Sequence, residues 1–406
     1  MKILSVHNAY QRRGGEDVAR EAEMRLLRHA GHDVIEYTRS NNELGELSTP
    51  RKISLTAETF WSSRTQRELR SLLRSEKPEV VHFHNTVPLI SPSAYYTCAE
   101  EGVPVVQTLH NYRVLCPGAY LLRDGVVCEE CLGKPLAWPG VLHGCYRDSR
   151  LATAAVAAML AGHRAMGTWL ERIDAYVALS DFARRKFIEG GLPGERIFVK
   201  TNFVESGPAP ERSPGAYALY VGRLSEEKGV RVLLAAWAGL RQEIPLKIVG
   251  DGPLRGLIAE AVLSQDSGPV EWLGQLPQTE IASLMRGAYS LVVPSICFEN
   301  FPMAIAEAFA CGLPVIASDL GAMAEIVADR KTGLRFSPGN AEDLAAKIEW
   351  AWTHPQEIAV MGHAARTEFE AKYTAAAALE RLEKVYKSVL PFPHRLVAPA
   401  SLRSPQ

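Results

Sequence analysis

Short apolar runs alternate with segments of helical periodicity along almost the whole chain. In the first half, the apolar runs that predict strands are Ile3–Val6, Val34–Tyr37, Val80–Phe83, Val105–Thr108, Ala175–Leu179 and Ile197–Lys200. Amphipathic stretches such as Val18–Ala30 and Arg64–Arg74 lie between them. Strands that alternate with helices pair in parallel and carry helices on both faces of the sheet, so the pattern predicts a doubly wound α/β domain.

A second block of the same kind follows an interruption at residues 206–215, which are rich in Pro and Gly as domain linkers are. Its predicted strands are Ala218–Val221, Leu246–Val249, Val270–Trp272, Leu291–Val293 and Val315–Ala317. We therefore predict two domains, residues 1–205 and 216–372. A helical segment at 373–390 follows them, and the tail 391–406 is predicted to be disordered.

Length and composition narrow the class of protein. A chain of 406 residues is too long for one compact core, and 47% hydrophobic with 22% charged residues is typical of a soluble globular protein. The net charge of -1 gives no reason to expect a nucleic-acid partner. The N-terminus resembles a strand and not a signal peptide, and Leu151–Leu160 is too short to span a membrane, so we expect a cytoplasmic protein.

The most specific motif is Phe298–Ala308, which follows a predicted strand and opens a helix. Backbone N–H groups at such a helix start suit phosphate oxygens. Glu299 precedes the helix and Glu307 lies about two turns further on, so the two carboxylates can accept hydrogen bonds from different hydroxyls of one ligand. This arrangement fits a nucleotide sugar, although two ordinary solvated charges would give the same pattern.

Two further turns follow strands of the same domain. Gly222–Gly229 carries Arg223 and Lys228, two cations able to contact one pyrophosphate, or simply exposed bases at a helix start. Gly250-Asp251-Gly252 ends another strand with two glycines, which allow close backbone approach to a ligand but also occur in ordinary turns. Because open α/β sheets bind ligands at the carboxyl ends of their strands, three such turns together predict a nucleotide crevice.

These motifs resemble glycosyltransferase family 4, whose members are retaining enzymes with the GT-B fold. The resemblance rests on Gly222–Gly229, Gly250–Pro253 and the paired glutamates followed by Ala310–Ser318, and it extends over nearly the whole chain. It implies two Rossmann-like domains that face a central cleft, with the last helix packed back on the first domain.

The resemblance also implies residue roles. Arg223 and Lys228 would hold the donor diphosphate, Glu307 the ribose, and Glu299 the reacting face of the donor sugar. The backbone amides that follow at Asn300, Phe301 and Met303 would contact phosphate or sugar. The family usually has Gly at positions 300 and 302, and Pro302 has no N–H to donate.

The first domain carries weaker candidates. Gly14 and Gly15 follow the first strand and open a helix, which suits a donor phosphate or an acceptor, but they lack the G-x-G-x-x-G spacing. His110 closes another strand, and family members often have a histidine there, close to the transferred sugar. A structural histidine at a strand end is the alternative.

An insertion at about residues 111–150 contains Cys116, Cys128, Cys131 and Cys145. A Cys-x2-Cys pair with two further cysteines is typical of a closed, structural zinc site, in which His143 could replace one thiol. An iron–sulfur cluster or free thiols would use the same residues. The other cysteines, Cys98, Cys297 and Cys311, are predicted to lie in the core.

The functional hypothesis is a retaining glycosyltransferase that uses a UDP- or GDP-sugar and needs no catalytic metal. The family suggests a sugar or lipid-linked acceptor in envelope or exopolysaccharide synthesis. A basic segment, Arg51–Lys77, with Phe60 and Trp61 alongside, could lie on an anionic membrane surface or be a solvated helix face. A GT-B epimerase or phosphorylase and a non-catalytic zinc-containing interaction protein remain alternatives.

Overall fold

The computed structural model describes residues 1–11, 14–44, 55, 57–205, 207, 215–264 and 269–390. Of the predicted linker 206–215, the described residues include Gly207 and Gly215. The predicted disordered tail, residues 391–406, lies outside the described residues. Within them, two six-stranded parallel sheets form the framework of the protein, and helices cover both faces of each sheet.

The first half of the chain contains β1 (Lys2–Ala9), β2 (Asp33–Ser40), β3 (Val80–Phe83), β4 (Val105–Thr108), the antiparallel hairpin β5 (Leu122–Arg123) and β6 (Val126–Val127), β7 (Ala175–Ala178) and β8 (Ile197–Val199). The second half contains β9 (Ala218–Val221), β10 (Leu246–Val249), β11 (Val270–Gly274), β12 (Ser290–Val293), β13 (Val315–Ser318) and β14 (Gly333–Phe336). The strands of the first sheet lie in the spatial order β2-β1-β3-β4-β7-β8, and those of the second in the order β11-β10-β9-β12-β13-β14.

The helices alternate with these strands. Those of the first half are α1 (Gly15–His29), α2 (Ser63–Glu76), α3 (Ser93–Glu100), α4 (Trp138–His143), α5 (Arg150–Ala165), α6 (Thr168–Glu171) and α7 (Asp181–Glu189). Those of the second half are α8 (Val230–Ala238), α9 (Arg255–Leu263), α10 (Gln278–Gly287), α11 (Met303–Ala310), α12 (Gly321–Ile326), α13 (Ala341–Thr353), α14 (Pro355–Lys372) and α15 (Ala375–Val389).

Several helix starts are set by the side chain that precedes them. The oxygen of that side chain accepts a hydrogen bond from the N–H three residues later, which satisfies a donor that the helix itself leaves unpaired. These capping residues are Ser62, Ser149, Ser180, Asn340 and Thr374. The boundaries of these helices are therefore encoded locally.

The apolar runs correspond to strands that helices bury from both sides. Every residue of β3, β4, β12 and β13 is buried. This confirms the predicted α/β fold with two sheets. The sequence pattern missed β14, a four-residue strand at the edge of the sheet that contains Arg335 and pairs with β13, and the hairpin β5–β6.

The last helix returns to the first domain, as the family resemblance implied. Leu382, Val385 and Tyr386 of α15 are buried with Ile3 and Met24 of β1 and α1. A hydrogen bond of 2.8 Å also joins the Tyr386 hydroxyl to Nδ1 of the buried His82 on β3. The chain therefore crosses between the domains a second time after the second sheet is complete.

A contact between α7 and α12 joins the domains at another place. The Glu325 carboxylate accepts hydrogen bonds from the backbone N–H groups of Asp181 and Phe182, at 2.9 and 2.6 Å. The Phe182 ring packs against Phe298, with centroids 4.7 Å apart. A carboxylate at the start of α7 satisfies unpaired helix donors and interacts favourably with the helix dipole.

The described part of the basic segment is largely paired. Within and around α2, Arg64 pairs with Glu68, Arg70 with Glu100 and Arg74 with Glu101. The Phe60 ring packs against His163 at 4.9 Å and that of Trp61 against Tyr96 at 5.1 Å, while Arg51 and Lys52 lie outside the described residues. Among the described helices, none is both long and apolar enough to cross a bilayer.

The loops that follow β9 and β10 touch through their backbones. A Cβ on Gly250, whose φ is +143°, would lie 1.9 Å from the carbonyl oxygen of Gly222, and one on Gly252 would lie 2.3 Å from that of Leu224. The N–H of Leu224 donates to the carbonyl of Asp251 at 3.0 Å. The two glycines therefore let one loop pack on the other, whereas the sequence suggested close approach to a ligand.

We predict that Gly250→Ala lowers the free energy of unfolding by at least about 2 kcal/mol, because neither the loop contact nor the positive φ accommodates a side chain. Gly256→Ala is the matched control. It lies in the first turn of α9, where a Cβ meets nothing within 4 Å, so it should be neutral or stabilising by up to about 1 kcal/mol. Chemical denaturation of both variants measures the difference, and equal stability would contradict the packing argument.

Candidate active site

In the second sheet, β9 and β12 are the two neighbours at which the order of the strands along the chain reverses. Open α/β sheets form their ligand crevice outside such a position. The Lys228 ammonium, from the loop after β9, lies 2.6 Å from Oε1 of Glu299, from the loop after β12. The Ser295 hydroxyl donates to the same oxygen at 2.8 Å. The crevice thus brings together two of the predicted site residues.

Backbone packing holds these two loops in place. Gly229 has φ +70°, and a Cβ there would lie 1.8 Å from the carbonyl oxygen of Pro294. The N–H of Ile296 donates to the carbonyl of Glu227 at 3.0 Å. The short distance between Lys228 and Glu299 is therefore a consequence of rigid main-chain contacts.

Lys228 remains charged at neutral pH. Burial lowers its pKa, but the Glu299 carboxylate outweighs that effect and raises the pKa above the usual range of a lysine. The Lys228 side chain is 30% exposed and that of Glu299 is 12% exposed, so both remain accessible from the cleft. The pair offers a ligand a cation and a carboxylate side by side.

Arg223 and Asp251 lie on the two loops, after β9 and after β10, that contact each other through their backbones. The Arg223 side chain is exposed, and its carbonyl accepts a hydrogen bond of 2.9 Å from the Tyr220 hydroxyl. Asp251 is exposed, at the tip of the loop that packs on Leu224. The exposed Arg223 guanidinium is a second cation on the loop that carries Lys228.

The residues at the start of α11, which the sequence analysis assigned together to the donor site, differ in how far their side chains are buried. The Phe301 side chain is buried against the Tyr373 ring at 5.6 Å, so Phe301 offers a ligand only its backbone, whereas Met303 is partly buried on the same core. Asn300 is buried, and its Oδ1 has no hydrogen-bond partner among the described residues. Burial raises the pKa of Glu307. A buried unpaired oxygen is costly, which marks Asn300 as a candidate for ligand contact.

In the first domain, His110 contacts a second histidine. Its Nε2 lies 3.0 Å from Nδ1 of His84, at the end of the neighbouring strand. Burial holds the pKa of both rings well below the ordinary value for histidine. His110 is therefore neutral at pH 7 and can act through hydrogen bonds more readily than as a stored proton.

Gly14 caps α1, and its N–H donates to the Asp17 carboxylate at 2.8 Å.

Glu16 follows two residues later and was not assigned a role from sequence. Its Oε2 accepts hydrogen bonds from the Tyr10 hydroxyl at 3.0 Å and from Asn111 Nδ2 at 3.5 Å, while burial raises its pKa to about 8. In the sequence, the one feature that could have marked Glu16 as a site residue was its position directly after Gly14-Gly15, beyond the end of a strand. The structure adds a largely neutral carboxyl to this side of the cleft.

One buried cluster has the geometry of a metal site. Glu23, His82 and His84 hold three possible ligand atoms within 4.8 Å of one another. The Lys200 ammonium is hydrogen bonded to Glu23 inside this cluster. Because that positive charge already neutralises the carboxylate and would repel a cation, the cluster is better explained as a buried ion pair.

The four cysteines of the insertion line one small cavity. Cys116, Cys128, Cys131 and Cys145 surround it together with Arg123, Glu130, Pro139 and Gly140. The exposed His143 is not among the lining residues. Burial raises the pKa of Cys131 to about 11 when no ion is present, whereas a bound cation would favour the thiolate. Four thiols around one cavity are the ligand type of a structural zinc ion.

The remaining cysteines, Cys98, Cys297 and Cys311, are buried away from this cavity, as predicted.

Comparisons with known proteins agree with this architecture. Residues 13–206 match the family model described as Glycosyltransferase Family 4, and residues 205–368 match that of Glycosyl transferases group 1. An uncharacterized glycosyltransferase of Methanocaldococcus jannaschii is 33% identical over 43% of this chain and 48% of its own length. A phosphatidyl-myo-inositol mannosyltransferase of Mycobacterium leprae is 31% identical over 54% of this chain and 61% of its own length. These alignments thus span about half to three fifths of the relatives.

Among solved structures, Anabaena HepE in complex with UDP superimposes with a TM-score of 0.64, covering 96% of this chain and all of that one at 18% identity. This similarity confirms the GT-B fold. The two family models together match residues 13–368, nearly the whole of both sheets, and the chain therefore belongs to the glycosyltransferases, with a family 4 first half and a group 1 second half.

Proposed function

We propose that this protein transfers a sugar, with retention of configuration, from a nucleotide diphosphate sugar to an acceptor bound by the first domain. The observation that carries the proposal is the Lys228–Glu299 pair at the crevice between β9 and β12, with the exposed Arg223 on the same loop. A diphosphate needs cations, and a sugar needs hydroxyl acceptors, within a few ångströms of each other. HepE, a relative in fold, has been crystallised with UDP, which supports a UDP-sugar or the related GDP-sugar as donor.

In this proposal Arg223 and Lys228 stabilise the negative charge that develops on the departing diphosphate. The bond between the anomeric carbon and the diphosphate oxygen breaks, and its electron pair leaves with the diphosphate. The acceptor oxygen forms its bond to the same face of the anomeric carbon and passes its proton to the leaving phosphate. The two fixed cations supply the charge neutralisation, and the mechanism proposed needs no catalytic metal.

The carboxylates would act at different parts of the donor. Glu299 would contact hydroxyls near the reacting carbon, while Glu307, the fifth residue of α11, would contact the ribose. Lys228 donates a hydrogen bond to Glu299. A shift of the Glu299 side chain at the sugar would therefore also shift Lys228 at the phosphate. His110, neutral and held by His84, would contribute a hydrogen bond to the sugar.

The acceptor would approach from the first domain, past Glu16 and Asn111. A sugar or lipid-linked acceptor of polysaccharide synthesis is the class that the family suggests. The cytoplasmic location and a membrane contact through the basic segment stay predictions. Turnover with a panel of UDP- and GDP-sugars tests the function itself, and a wild-type protein without transfer activity on any of them would contradict it.

We also propose a structural zinc ion between Cys116, Cys128, Cys131 and Cys145, supported by their convergence on one cavity. Zinc would cross-link an insertion whose only strands are the two-residue β5 and β6. The ion would stabilise the fold and take no part in the transfer.

We expect Arg223→Ala and Lys228→Ala each to lower kcat/KM about a hundredfold, since each removes a charge-assisted contact worth roughly 2–3 kcal/mol. Lys228→Ala also releases Glu299, so combining it with Glu299→Gln should cost less than the sum of the single changes. Steady-state kinetics of the folded variants measures both effects. Normal kinetics in either single variant would remove that residue from the phosphate site.

We expect the two glutamates to respond differently. Glu299→Gln should lower kcat strongly with little change in donor KM, because charge develops at the sugar only in the transition state. Glu307→Gln should mainly raise donor KM and weaken binding of the bare nucleoside diphosphate, since the ribose contact is equal in both states. Calorimetry with UDP and GDP makes the comparison. The opposite pattern would reverse the two roles, and no effect in either variant would exclude this helix start as the donor site.

We expect purified protein to contain about one zinc ion per chain, and Cys131→Ser to lose the ion and unfold at a lower temperature. His143→Ala is the matched control and should keep the metal, because His143 lies outside the cavity. Elemental analysis and thermal melts measure both quantities. Iron in place of zinc would indicate a cluster, and neither metal after refolding with zinc would leave four free thiols.

A further inference from the structure

The buried carboxylate of Glu23 lies beside a histidine with which it makes no hydrogen bond. Its Oε2 accepts a hydrogen bond from the Lys200 ammonium, whereas its Oε1 has no hydrogen-bond partner among the described residues. Nε2 of His84 also has none, and it lies 3.7 Å from that oxygen. Glu23 and His84 are each 3% exposed, so bulk water does not reach these two atoms. Because buried polar atoms without a partner are costly, a small shift that joins the two atoms would stabilise the protein.

The other ring beside this oxygen is already paired. Nδ1 of His82 lies 3.3 Å from Oε1 of Glu23. That nitrogen hydrogen bonds to the Tyr386 hydroxyl at 2.8 Å, and Nε2 of the same ring to the Thr108 hydroxyl at 2.7 Å. Both nitrogens of His82 therefore have partners, and His84 is the ring that is left to donate to Glu23.

Charge decides which nitrogen of His84 carries the proton. Burial raises the pKa of Glu23, but the charges around it, led by the Lys200 ammonium, outweigh burial and lower that pKa below its ordinary value. Glu23 is therefore an ionised carboxylate at pH 7, which accepts hydrogen bonds and donates none. Burial lowers the pKa of His84 well below its ordinary value, so the ring is neutral and holds one proton. Next to the carboxylate that proton belongs on Nε2, and Nδ1 keeps its lone pair.

The state of His84 determines that of His110. Nδ1 of His84 lies 3.0 Å from Nε2 of His110, so one of these two nitrogens must donate. Because Nδ1 of His84 has no proton, Nε2 of His110 carries one, and Nδ1 of this neutral ring is unprotonated. His110 lines a cavity of about 50 Å³ together with Asn111 and Arg113, and its Nδ1 makes no hydrogen bond to another described residue. Nδ1 is therefore the nitrogen that His110 has left for a ligand.

We propose that Glu23, acting through His84, holds His110 as the tautomer protonated at Nε2, so that Nδ1 of His110 accepts a hydrogen bond from a hydroxyl of the donor sugar. Glu23 is thus a positioning residue that touches no substrate. The inference rests on the proposed function, in which His110 contacts the sugar, and adds the direction of that contact. It selects a free hydroxyl at this position of the sugar, since an ether or carbonyl oxygen has no hydrogen to donate.

The first experiment determines the tautomers in the wild-type protein at pH 7. Long-range ¹H–¹⁵N NMR of the full chain labelled with ¹⁵N-histidine distinguishes protonated from unprotonated ring nitrogens, and the variants His84→Phe and His110→Asn assign the two rings. We expect both rings to be protonated at Nε2. A proton on Nδ1 of either ring overturns the proposal.

Glu23→Gln should reverse the arrangement. The amide oxygen would accept from Lys200 in place of the carboxylate, which leaves the amide N–H to donate to Nε2 of His84. The proton of His84, and with it that of His110, should then move to Nδ1. We expect kcat/KM to fall about tenfold because His110 no longer accepts, while affinity for UDP or GDP, which lack the sugar, changes less than about threefold. A folded variant with unchanged tautomers shows that Glu23 does not set them.

Glu36→Gln is the matched control. It also removes a carboxylate, one that pairs with two arginines, and it should leave the tautomers and the kinetics as in the wild type.

The unpaired charge of Lys200 could prevent Glu23→Gln from folding. In that case Glu23→Leu combined with Lys200→Met replaces the ion pair by apolar side chains, a change that buried ion pairs often tolerate. The double variant has no group that favours either tautomer of His84, so both rings should populate both forms. A single form protonated at Nε2 would exclude Glu23 from this role.

The proposed function and this inference fail separately. A wild-type protein that binds neither UDP nor GDP and transfers no sugar contradicts the function, whatever the tautomers are. If the wild type transfers sugar, and Glu23→Gln switches both tautomers but keeps the full kcat/KM, then Nδ1 of His110 does not contact the sugar and the inference alone is wrong.

Discussion

Close backbone contact between three loops is the constraint on which the candidate site depends. Gly250 packs on the carbonyl of Gly222, and Gly229 packs on the carbonyl of Pro294, so the loops after β9, β10 and β12 cannot move apart independently. This packing brings Lys228 and Glu299 to 2.6 Å and leaves Arg223 exposed beside them. A site that must recognise a diphosphate and a sugar together gains from such fixed geometry, because little conformational entropy is lost on binding.

The two domains differ in the charge of the candidate site residues that each contributes. The second domain presents the cations Arg223 and Lys228 on one loop, which suits an anionic donor. The first domain presents side chains that burial keeps neutral, His110 and Glu16 among them. Neutral hydrogen-bonding groups suit uncharged hydroxyls.

The cysteine-rich insertion is a third, locally organised part of the first domain. Its strands have two residues each, so its order depends on the contacts around the cysteine cavity. Those contacts hold a turn in which Ala119 and Leu121 have positive φ without being glycine.

The sequence by itself determined the two parallel sheets, because strands buried on both faces are apolar throughout, and several helix starts, because their capping side chains are local. It also pointed to Arg223, Lys228, Glu299 and Glu307 as candidates for the donor site. Only the tertiary structure decided how they meet: Lys228 and Glu299 are 71 residues apart in the chain, and no local pattern encodes their contact. The same holds for Phe301, which turned out to be a core residue, and for the His84–His110 pair. The physical reason is that local periodicity reports burial and backbone preference, whereas a site depends on which distant loops pack against each other.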